Sequence, residues 1–156
     1  MELKKWAYLA EIGSAIAVVL SLLYVGYELN QNTNAVRASN WQALLDYAAA
    51  ADMVVLQNAD VASIVVKGES NYNDLPEEEK YRFDMYALNL FNYFEAAHLY
   101  HQQGLLGDDV WELVDITSVS FLETAGYREY WERSRNKYVP EFVAHIDGII
   151  EQGGYR

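Results

Sequence analysis

The chain contains no cysteine, and proline occurs only twice among its 156 residues. Without cysteine there can be no disulfide, no thiolate metal ligand and no cysteine nucleophile. The two prolines are Pro76 and Pro140, so the chain before Pro76 is free of this helix breaker. Windows of alternating polarity, which would predict strands, are missing as well. These absences favour an all-α protein whose core needs no covalent cross-link.

Positive charge is also scarce, with 11 Lys and Arg against 23 Asp and Glu and a net charge of -12. Residues 1–27 hold two charges of each sign, so residues 28–156 carry 21 acidic and 9 basic side chains. Such a surface repels phosphate backbones, which argues against nucleic-acid binding. It also repels anionic lipid headgroups. Solubility or a basic partner surface remains as its role.

Motifs of familiar enzymes are missing too. The sequence has no Gly-x-Ser-x-Gly nucleophile elbow and no phosphate-cradling glycine loop. The pair Gly104 and Gly107 is accounted for by a predicted turn between helices. We therefore expect a protein that is not an enzyme and uses no cofactor.

The most informative feature present is the apolar segment, defined here as residues 6–27, WAYLAEIGSAIAVVLSLLYVGY, with Glu11 as its one charge. At ~1.5 Å per helical residue it matches the ~30 Å hydrocarbon core of a bilayer. Aromatic residues stand at both ends, as they do at membrane interfaces. The segment predicts a single transmembrane helix with the lipid bilayer as its surroundings.

Two other interpretations of the apolar segment are a cleaved signal peptide and a buried core helix. A cleaved signal peptide would also begin with a short basic region, but no small-residue cleavage site follows Gly26 at the usual distance. A buried core helix would normally carry a polar stripe, and between Ile12 and Tyr27 only Ser14 and Ser21 are polar apart from tyrosine. An uncleaved membrane span is therefore favoured.

Small residues recur every four positions in this segment, at Gly13, Ala17 and Ser21. Such a stripe lets a second helix approach closely. The predicted partner is a transmembrane helix of another protein or of a second copy of the chain. Glu11 either lies at headgroup level or forms a hydrogen bond or ion pair with that neighbouring helix.

The remainder is predicted to form about five helices, which gives two domains, 1–30 (tail and membrane helix) and 31–156 (helical bundle domain). Capping residues and breakers set the expected boundaries, with a loop at 69–74. The helix of the span should continue to about Asn58. Two further helices should run from Asp60 to Gly68 and from Pro76 to about Gln103. Of the last three, one should run from Asp109, capped by Asp108, to about Leu122, one should begin near Ala125, and one should run from Pro140 to Gly153.

Glu95, His98 and His101 form the one motif with metal-ligand spacing, because residues three apart share a helix face. Di-iron bundles need two Glu-x-x-His copies, and the only other histidine, His145, has no glutamate three residues before it. A lone zinc site is the functional interpretation. A surface pair, or histidines at the edge of the core, is the favoured one.

Two further patterns concern binding. Residues 128–137, REYWERSRNK, combine basic and aromatic side chains, so Arg128, Trp131, Arg133 and Arg135 are a candidate partner surface. A charge-mixed surface helix, with Glu129 and Arg133 as an i,i+4 pair, is the favoured interpretation of the segment. A second group, Tyr86, Phe91, Tyr93 and Tyr100, either lines a small-ligand pocket or packs in the core.

Three stretches of the sequence are similar to an uncharacterised family of bacterial proteins of about this length: EIGSAIAVVLSLLYVGYELNQNTNAVRAS, FEAAHLYHQQGLLGDDVW and YWERSRNKYVPEFVAHID. The most specific piece is Tyr24-Val25-Gly26 followed by Gln31-Asn32-Thr33. The resemblance implies a single-pass membrane protein with a helical domain and implies no activity. Relatives usually carry arginines near Gln-Asn-Thr, where this chain has Asn30 and Asn34.

The expected location is the bacterial inner membrane. Lys4 and Lys5 precede the span and Arg37 follows it, so the positive-inside rule places the N-terminus in the cytoplasm and the domain in the periplasm. The departure at Asn30 and Asn34 leaves a cytoplasmic domain as the alternative. The leading functional hypothesis is a non-enzymatic accessory or scaffold subunit of a larger membrane complex. A metal-dependent enzyme or sensor and a small-ligand-binding domain are the alternatives.

Overall fold

A computed structural model describes residues 2–153, apart from the side chain of Leu3. Between residues 2 and 153 it contains six α-helices, two short 3-10 turns and no strand, so the all-α prediction is confirmed. The helices are α1 (Glu2–Gln57), α2 (Ala59–Asn71), α3 (Glu77–Gln102), α4 (Asp108–Leu122), α5 (Ala125–Ser134) and α6 (Pro140–Glu151), and the 3-10 turns are Tyr72–Asp74 and Arg135–Lys137.

The chain divides into two compact units, Met1–Ala38 and Ser39–Arg156. Helix α1 supplies residues to both units, and the second unit is called the helical domain below. The core of the helical domain contains Leu44 from α1 together with side chains of all the later helices. A long apolar N-terminal helix that leads into a helical domain is the arrangement expected from the sequence.

Helix α3 is the centre of the helical domain, because α2, α4, α5 and α6 all pack against it. One face of α3 is completely buried, and its residues follow each other at intervals of three or four: Phe83, Ala87, Phe91, Phe94 and Ala97. The ring of Phe91 stacks on Tyr130 and Trp131 of α5, with centroids 5.4 and 5.2 Å apart. Burying one such side chain contributes ~1.5–3 kcal/mol, so this aromatic core can hold the helices together without disulfides.

The end of α3 was correctly predicted from Gly104. This glycine has φ of +69°, a left-handed conformation that glycine adopts without strain. Its N–H donates to the carbonyl of His101 at 2.9 Å, and the N–H of Leu105 donates to the carbonyl of Tyr100 at 2.7 Å. This pair of bonds is the Schellman motif, which satisfies the last carbonyls of a helix and turns the chain toward α4.

Helices α2 and α5 approach so closely that only glycine fits at their crossing. A methyl group placed on Gly126 would collide with the backbone carbonyl of Gly68, and one on Gly68 would collide with the ring of Phe83. Both glycines are buried. Close backbone packing therefore joins α2 to α5 and places the aromatic side chains of α5 over α3.

Three predicted boundaries were wrong. The N-cap of α2 is Asn58 rather than Asp60, and α2 passes through Gly68 to Asn71, because Gly68 is there for close packing rather than as a helix stop. All of the predicted 69–74 loop is therefore helical, as the end of α2 and a 3-10 turn. Helix α4 is capped by Gly107, and Asp108 is its first residue.

Candidate functional site

The apolar segment is exposed on every side of α1 within its own unit. Its large side chains retain between 46 and 68% of their accessible surface. α1 is also a helix long and apolar enough to cross a membrane, and its most apolar window is not buried at all. The segment therefore does not act as a core helix of this chain, which corrects one of the alternatives derived from the sequence.

Polar side chains in and after the apolar segment form hydrogen bonds along the helix. The Ser14 hydroxyl donates to the carbonyl of Glu11 at 2.8 Å. The Tyr24 hydroxyl donates to Glu28 Oε1 at 3.0 Å, and the Gln31 amide donates to the Tyr27 hydroxyl. Because apolar surroundings penalise unpaired polar groups, these bonds make the segment compatible with a lipid environment.

The small-residue stripe is open. A methyl group placed on Gly13 would meet no atom within 4 Å. On a helix, Gly13, Ala17 and Ser21 drift only slowly around the axis, so they share one face. Glu11 precedes Gly13 by two residues, or ~200° of rotation, and so lies on the side of the helix opposite Gly13. Glu11 lies ~120° from Ala17, the middle residue of the stripe, so it flanks the stripe rather than continuing it.

The Glu95, His98 and His101 motif does not form a ligand cluster. Glu95 accepts the backbone N–H of Val139 at 2.7 Å, and His101 lies 3.1 Å from Asp108. Only His98 points into the core, where it is 4% exposed. Across residues 2–153 no group of three or more His, Asp or Glu side chains could hold a metal ion. Glu95, His98 and His101 therefore make separate contacts in the structure.

The three histidines instead meet around Trp111 of α4. The His98 ring lies 5.3 Å from Trp111 and 5.0 Å from His145 of α6, and His101 stacks on the same tryptophan at 5.1 Å. His145 Nε2 is 2.6 Å from Asp115 Oδ1. Sequence reasoning missed His145 because 47 residues separate it from His98 and no motif links them.

His98 is held neutral in this cluster. Neither of its ring nitrogens has a hydrogen-bond partner among the described residues. Burial lowers the pKa of His98 first, and the neighbouring His145 and His101 lower it further. A positive charge here would have no compensating hydrogen bond, so the ring acts as an aromatic side chain between α3, α4 and α6.

The predicted partner surface included Trp131, and this part of the prediction is wrong because Trp131 is buried. Trp131 is 1% exposed and donates from Nε1 to Asp147 Oδ1 at 2.9 Å. Arg135 also pairs with Asp147. Arg133 forms a fork with Asp84, with N–O distances of 2.9 and 3.2 Å. Large aromatic side chains gain most from burial, so Trp131 packs inward and leaves no aromatic hot spot.

Arg128, the fourth residue of that candidate surface, points back along its own chain. Its Nε donates to the backbone carbonyl of Leu122, near the end of α4. The Glu129–Arg133 pair is present, with 3.8 Å between Arg133 Nε and Glu129 Oε1. The basic residues of this segment therefore bind within the helical domain, as expected for a charge-mixed helix.

The four aromatic residues proposed as a pocket are divided between core and surface cavities. Phe91 is fully buried in the core. Tyr86 and Tyr93 line a smaller cavity of about 230 Å³, and Tyr86 also lines an adjoining larger cavity of about 400 Å³. Tyr93 and Tyr100 line a separate cavity beside Leu44. Ligand pockets typically enclose ~300–1,000 Å³, so the two adjoining cavities together reach this size.

The two adjoining cavities lie between the part of α1 within the helical domain and α3. They share four lining residues: Tyr47, Ala51, Tyr86 and Asn89. The Tyr47 hydroxyl donates to Asn89 Oδ1 at 2.9 Å across the shared wall. Tyr47 and Asn89 were not predicted as site residues, and nothing short of the packing of α1 on α3 could have paired them.

Burial raises the pKa of both Tyr86 and Tyr93, and the nearby carboxylate of Asp52 raises that of Tyr86 further. These tyrosines are therefore neutral hydrogen-bonding groups at physiological pH. The cavity walls offer aromatic surface and neutral polar atoms, together with the Asp52 carboxylate in the smaller cavity and Arg82 in the larger one.

Comparison with known proteins found no match. No family model matches the chain, and neither a curated protein nor a solved structure is significantly similar to it.

Proposed function

We propose that this chain is a non-enzymatic, single-pass accessory or scaffold subunit of a larger membrane complex. Its apolar segment spans the bilayer, and its helical domain lies outside the bilayer. The observation that supports this best is the exposure of the segment: large apolar side chains cover all sides of α1 there. Exposed apolar patches of this size are unfavourable in water and mark interaction or membrane sites. The hydrogen bonds within the segment support the same proposal.

The stripe of Gly13, Ala17 and Ser21 is the proposed contact with a second transmembrane helix. Between lipid-embedded helices the hydrophobic effect supplies no attraction, so close approach and packing drive association. A methyl group placed on Gly13 would meet no atom within 4 Å, so substitution there starts from open space on this chain. Loss of association on enlarging Gly13 would therefore report on the partner.

The proposed location is the bacterial inner membrane, with the N-terminus inside and the helical domain in the periplasm. Lys4 and Lys5 before the segment support this orientation through the positive-inside rule. Because the chain lacks cysteine, a single Ser70→Cys substitution at an exposed position gives a clean label site. Labelling by a membrane-impermeant maleimide in intact cells is expected, and labelling only after lysis would place the domain in the cytoplasm.

Membrane association is tested first. The full-length chain should stay in the membrane pellet after carbonate extraction. Replacing Leu20 by Lys near the middle of the segment costs ~2.5–3.5 kcal/mol of insertion free energy and should move protein to the soluble or aggregated fraction. The matched control is Leu56→Lys, at an exposed position of the helical domain, which should not change fractionation. Full-length protein that is soluble without detergent would contradict the proposal.

Partner association is tested by crosslinking in native membranes and by co-purification in mild detergent. Gly13→Leu should abolish the partner band. Gly26→Leu is the control, since Gly26 has the same open surroundings and lies ~220° around the helix from Gly13. A monomer with no partner, or equal loss in both variants, would exclude the stripe as the contact.

A further inference from the structure

The smaller of the two adjoining cavities is lined by five aromatic side chains. Its aromatic side chains come from three helices: Tyr47 of α1, Tyr86, Tyr93 and Phe94 of α3, and Phe121 of α4. Asp52 is the one acidic side chain among the described lining residues, and no Lys, Arg or His belongs to that lining. Aromatic rings carry partial negative charge on their faces, so both the ring faces and the carboxylate favour a positively charged ligand.

Three hydrogen-bonding side chains around this cavity, Tyr47, Asn89 and Thr117, already donate within the protein. The Tyr47 hydroxyl donates to Asn89 Oδ1 at 2.9 Å, and Asn89 Nδ2 donates to the carbonyl of Met85 at 2.8 Å. The Thr117 hydroxyl donates to the carbonyl of Leu113 at 2.7 Å. A bound anion would need positive charge to offset Asp52, and the described lining contains no Lys, Arg or His.

The charge of Asp52 is not compensated by a neighbouring cation. None of the ion pairs among residues 2–153 involves Asp52. Its carboxylate raises the pKa of Tyr86, so its negative potential reaches the phenol inside the cavity. The net charge of -12 attracts cations to the surface generally.

We propose that the smaller cavity binds a small organic ammonium ion with methyl groups on nitrogen, held against the tyrosine rings and the Asp52 carboxylate. A methylated ammonium ion has a diffuse charge and an apolar surface, and it donates few or no hydrogen bonds. It is therefore suited to a cavity of aromatic walls, acceptor atoms and one carboxylate. The ligand is bound without any bond being made or broken.

The larger cavity explains where a substituent on such an ion would lie. It opens beside Tyr47 and Tyr86 and is lined by apolar residues, among them Val54 and Met85. Its one cation, Arg82, is already bound to Asp60 at 2.7 Å. The charge of the ligand therefore belongs in the smaller cavity, and an apolar chain belongs in the larger one.

The test is isothermal titration calorimetry of the full-length chain in a nonionic detergent. The probes are choline and its neutral carbon analogue, dimethylbutanol, which has the same shape without the charge. Choline should bind about tenfold more tightly than dimethylbutanol, because only the cation gains from ring faces and carboxylate. Equal affinity would show an unselective apolar cavity and overturn the proposal, as would the absence of choline binding.

Matched variants assign the binding to this cavity. Asp52→Asn should weaken choline binding about fivefold, since the partly screened charge of an exposed carboxylate is removed. Asp46→Asn makes the same charge change on α1 at a residue that pairs with Gln42 and does not line the cavity, so it should change affinity little. Equal weakening in both variants would indicate attraction by net charge only and contradict the site.

The aromatic contribution is tested by Tyr86→Leu, which keeps an apolar side chain and should reduce choline binding about tenfold while leaving dimethylbutanol binding unchanged. Circular dichroism checks that the variant stays folded. Equal loss for both probes would show that Tyr86 acts by shape and not as a cation-binding ring, against the proposal.

A methylated ammonium group occurs both in free metabolites and in the headgroup of phosphatidylcholine, and the two sources are separable. Titrations of choline are repeated in nanodiscs of phosphatidylglycerol and of phosphatidylcholine. Weaker apparent binding in phosphatidylcholine would identify the lipid headgroup as a competitor for the cavity, and equal binding would identify a free ion. Choline binding in detergent does not depend on the membrane proposal, so either proposal can fail without the other.

Discussion

The apolar segment and helix α3 are both rich in large apolar side chains, yet the structure treats them in opposite ways. In α3 the large side chains of one face are inaccessible, and they pack against four other helices. In the apolar segment comparable side chains keep about half or more of their surface exposed. Apolar content alone therefore does not distinguish a core helix from one that needs an external partner. The surroundings of each side chain make that distinction.

The largest expected difference between these two regions is in the loss of domain stability when a large apolar side chain is replaced by alanine. Phe91→Ala should destabilise the helical domain by ~3–5 kcal/mol, because it leaves a cavity beneath Tyr130 and Trp131. Leu20→Ala in the apolar segment should change the unfolding free energy of the domain by less than ~0.5 kcal/mol, since Leu20 contacts no core. Thermal unfolding by circular dichroism in detergent measures both. A large effect of Leu20→Ala would show that the segment contributes to the domain core.

Glycines give a second, smaller test of the same comparison. Gly126→Ala forces a methyl group against the Gly68 carbonyl and should cost ~1–3 kcal/mol of domain stability. Gly148→Ala in α6 meets no atom and should stabilise the domain by ~0.5–1 kcal/mol through helix propensity. Gly13→Ala in the apolar segment should leave the domain unchanged. If Gly126→Ala were neutral, the close α2–α5 crossing would be wrong.

The smallest expected effect concerns pH. In the folded domain the pKa of His98 is below its ordinary value near 6.5, so the unfolded chain binds more protons once the pH falls below about 6.5. The contribution of His98 to stability is therefore present above that pH and lost below it, at up to ~1.4 kcal/mol per pH unit. Chemical denaturation at a series of pH values measures this dependence.

Two variants separate His98 from its neighbours. His98→Phe fits the aromatic surroundings and should flatten the dependence of stability on pH between about 6.5 and 5. The residues that face His98 are His101 on α3, Asp115 on α4, and Glu141 and His145 on α6. His101→Gln is the control and should retain most of the dependence. Membrane association should be insensitive to pH over this range, and an equal response in both variants would assign the effect elsewhere.

Local sequence signals predicted most of the fold. Pro76 and the acidic residues after it marked the start of α3, and Gly104 marked its end, because both signals act within one helical turn. Gly68 misled the prediction of α2, since a glycine required for packing looks the same in sequence as one that ends a helix. That distinction depends on Phe83 and Gly126, which belong to other helices.

The candidate sites were less accessible to sequence reasoning. The Glu95, His98 and His101 spacing correctly implied neighbouring positions on a helix but could not show that Glu95 bonds to Val139. Trp131 looked like an interface residue because its neighbours are charged, whereas its partners in the core are distant in sequence. The cavity pair Tyr47 and Asn89 likewise depends on tertiary contact between α1 and α3. Long-range packing therefore determined each outcome that the local pattern missed.

The hydrogen bonds that join Tyr24 to Glu28 and Gln31 to Tyr27 would limit how deep the segment can lie in the bilayer that we propose it spans. Both tyrosine hydroxyls are tied to polar side chains one turn further along the chain. Sliding the helix inward by one turn, ~5.4 Å, would carry a carboxylate and an amide into hydrocarbon, and sliding it outward would pull aromatic rings into water. In the proposed membrane-spanning arrangement, the two tyrosines would therefore set the depth of the helix in the bilayer.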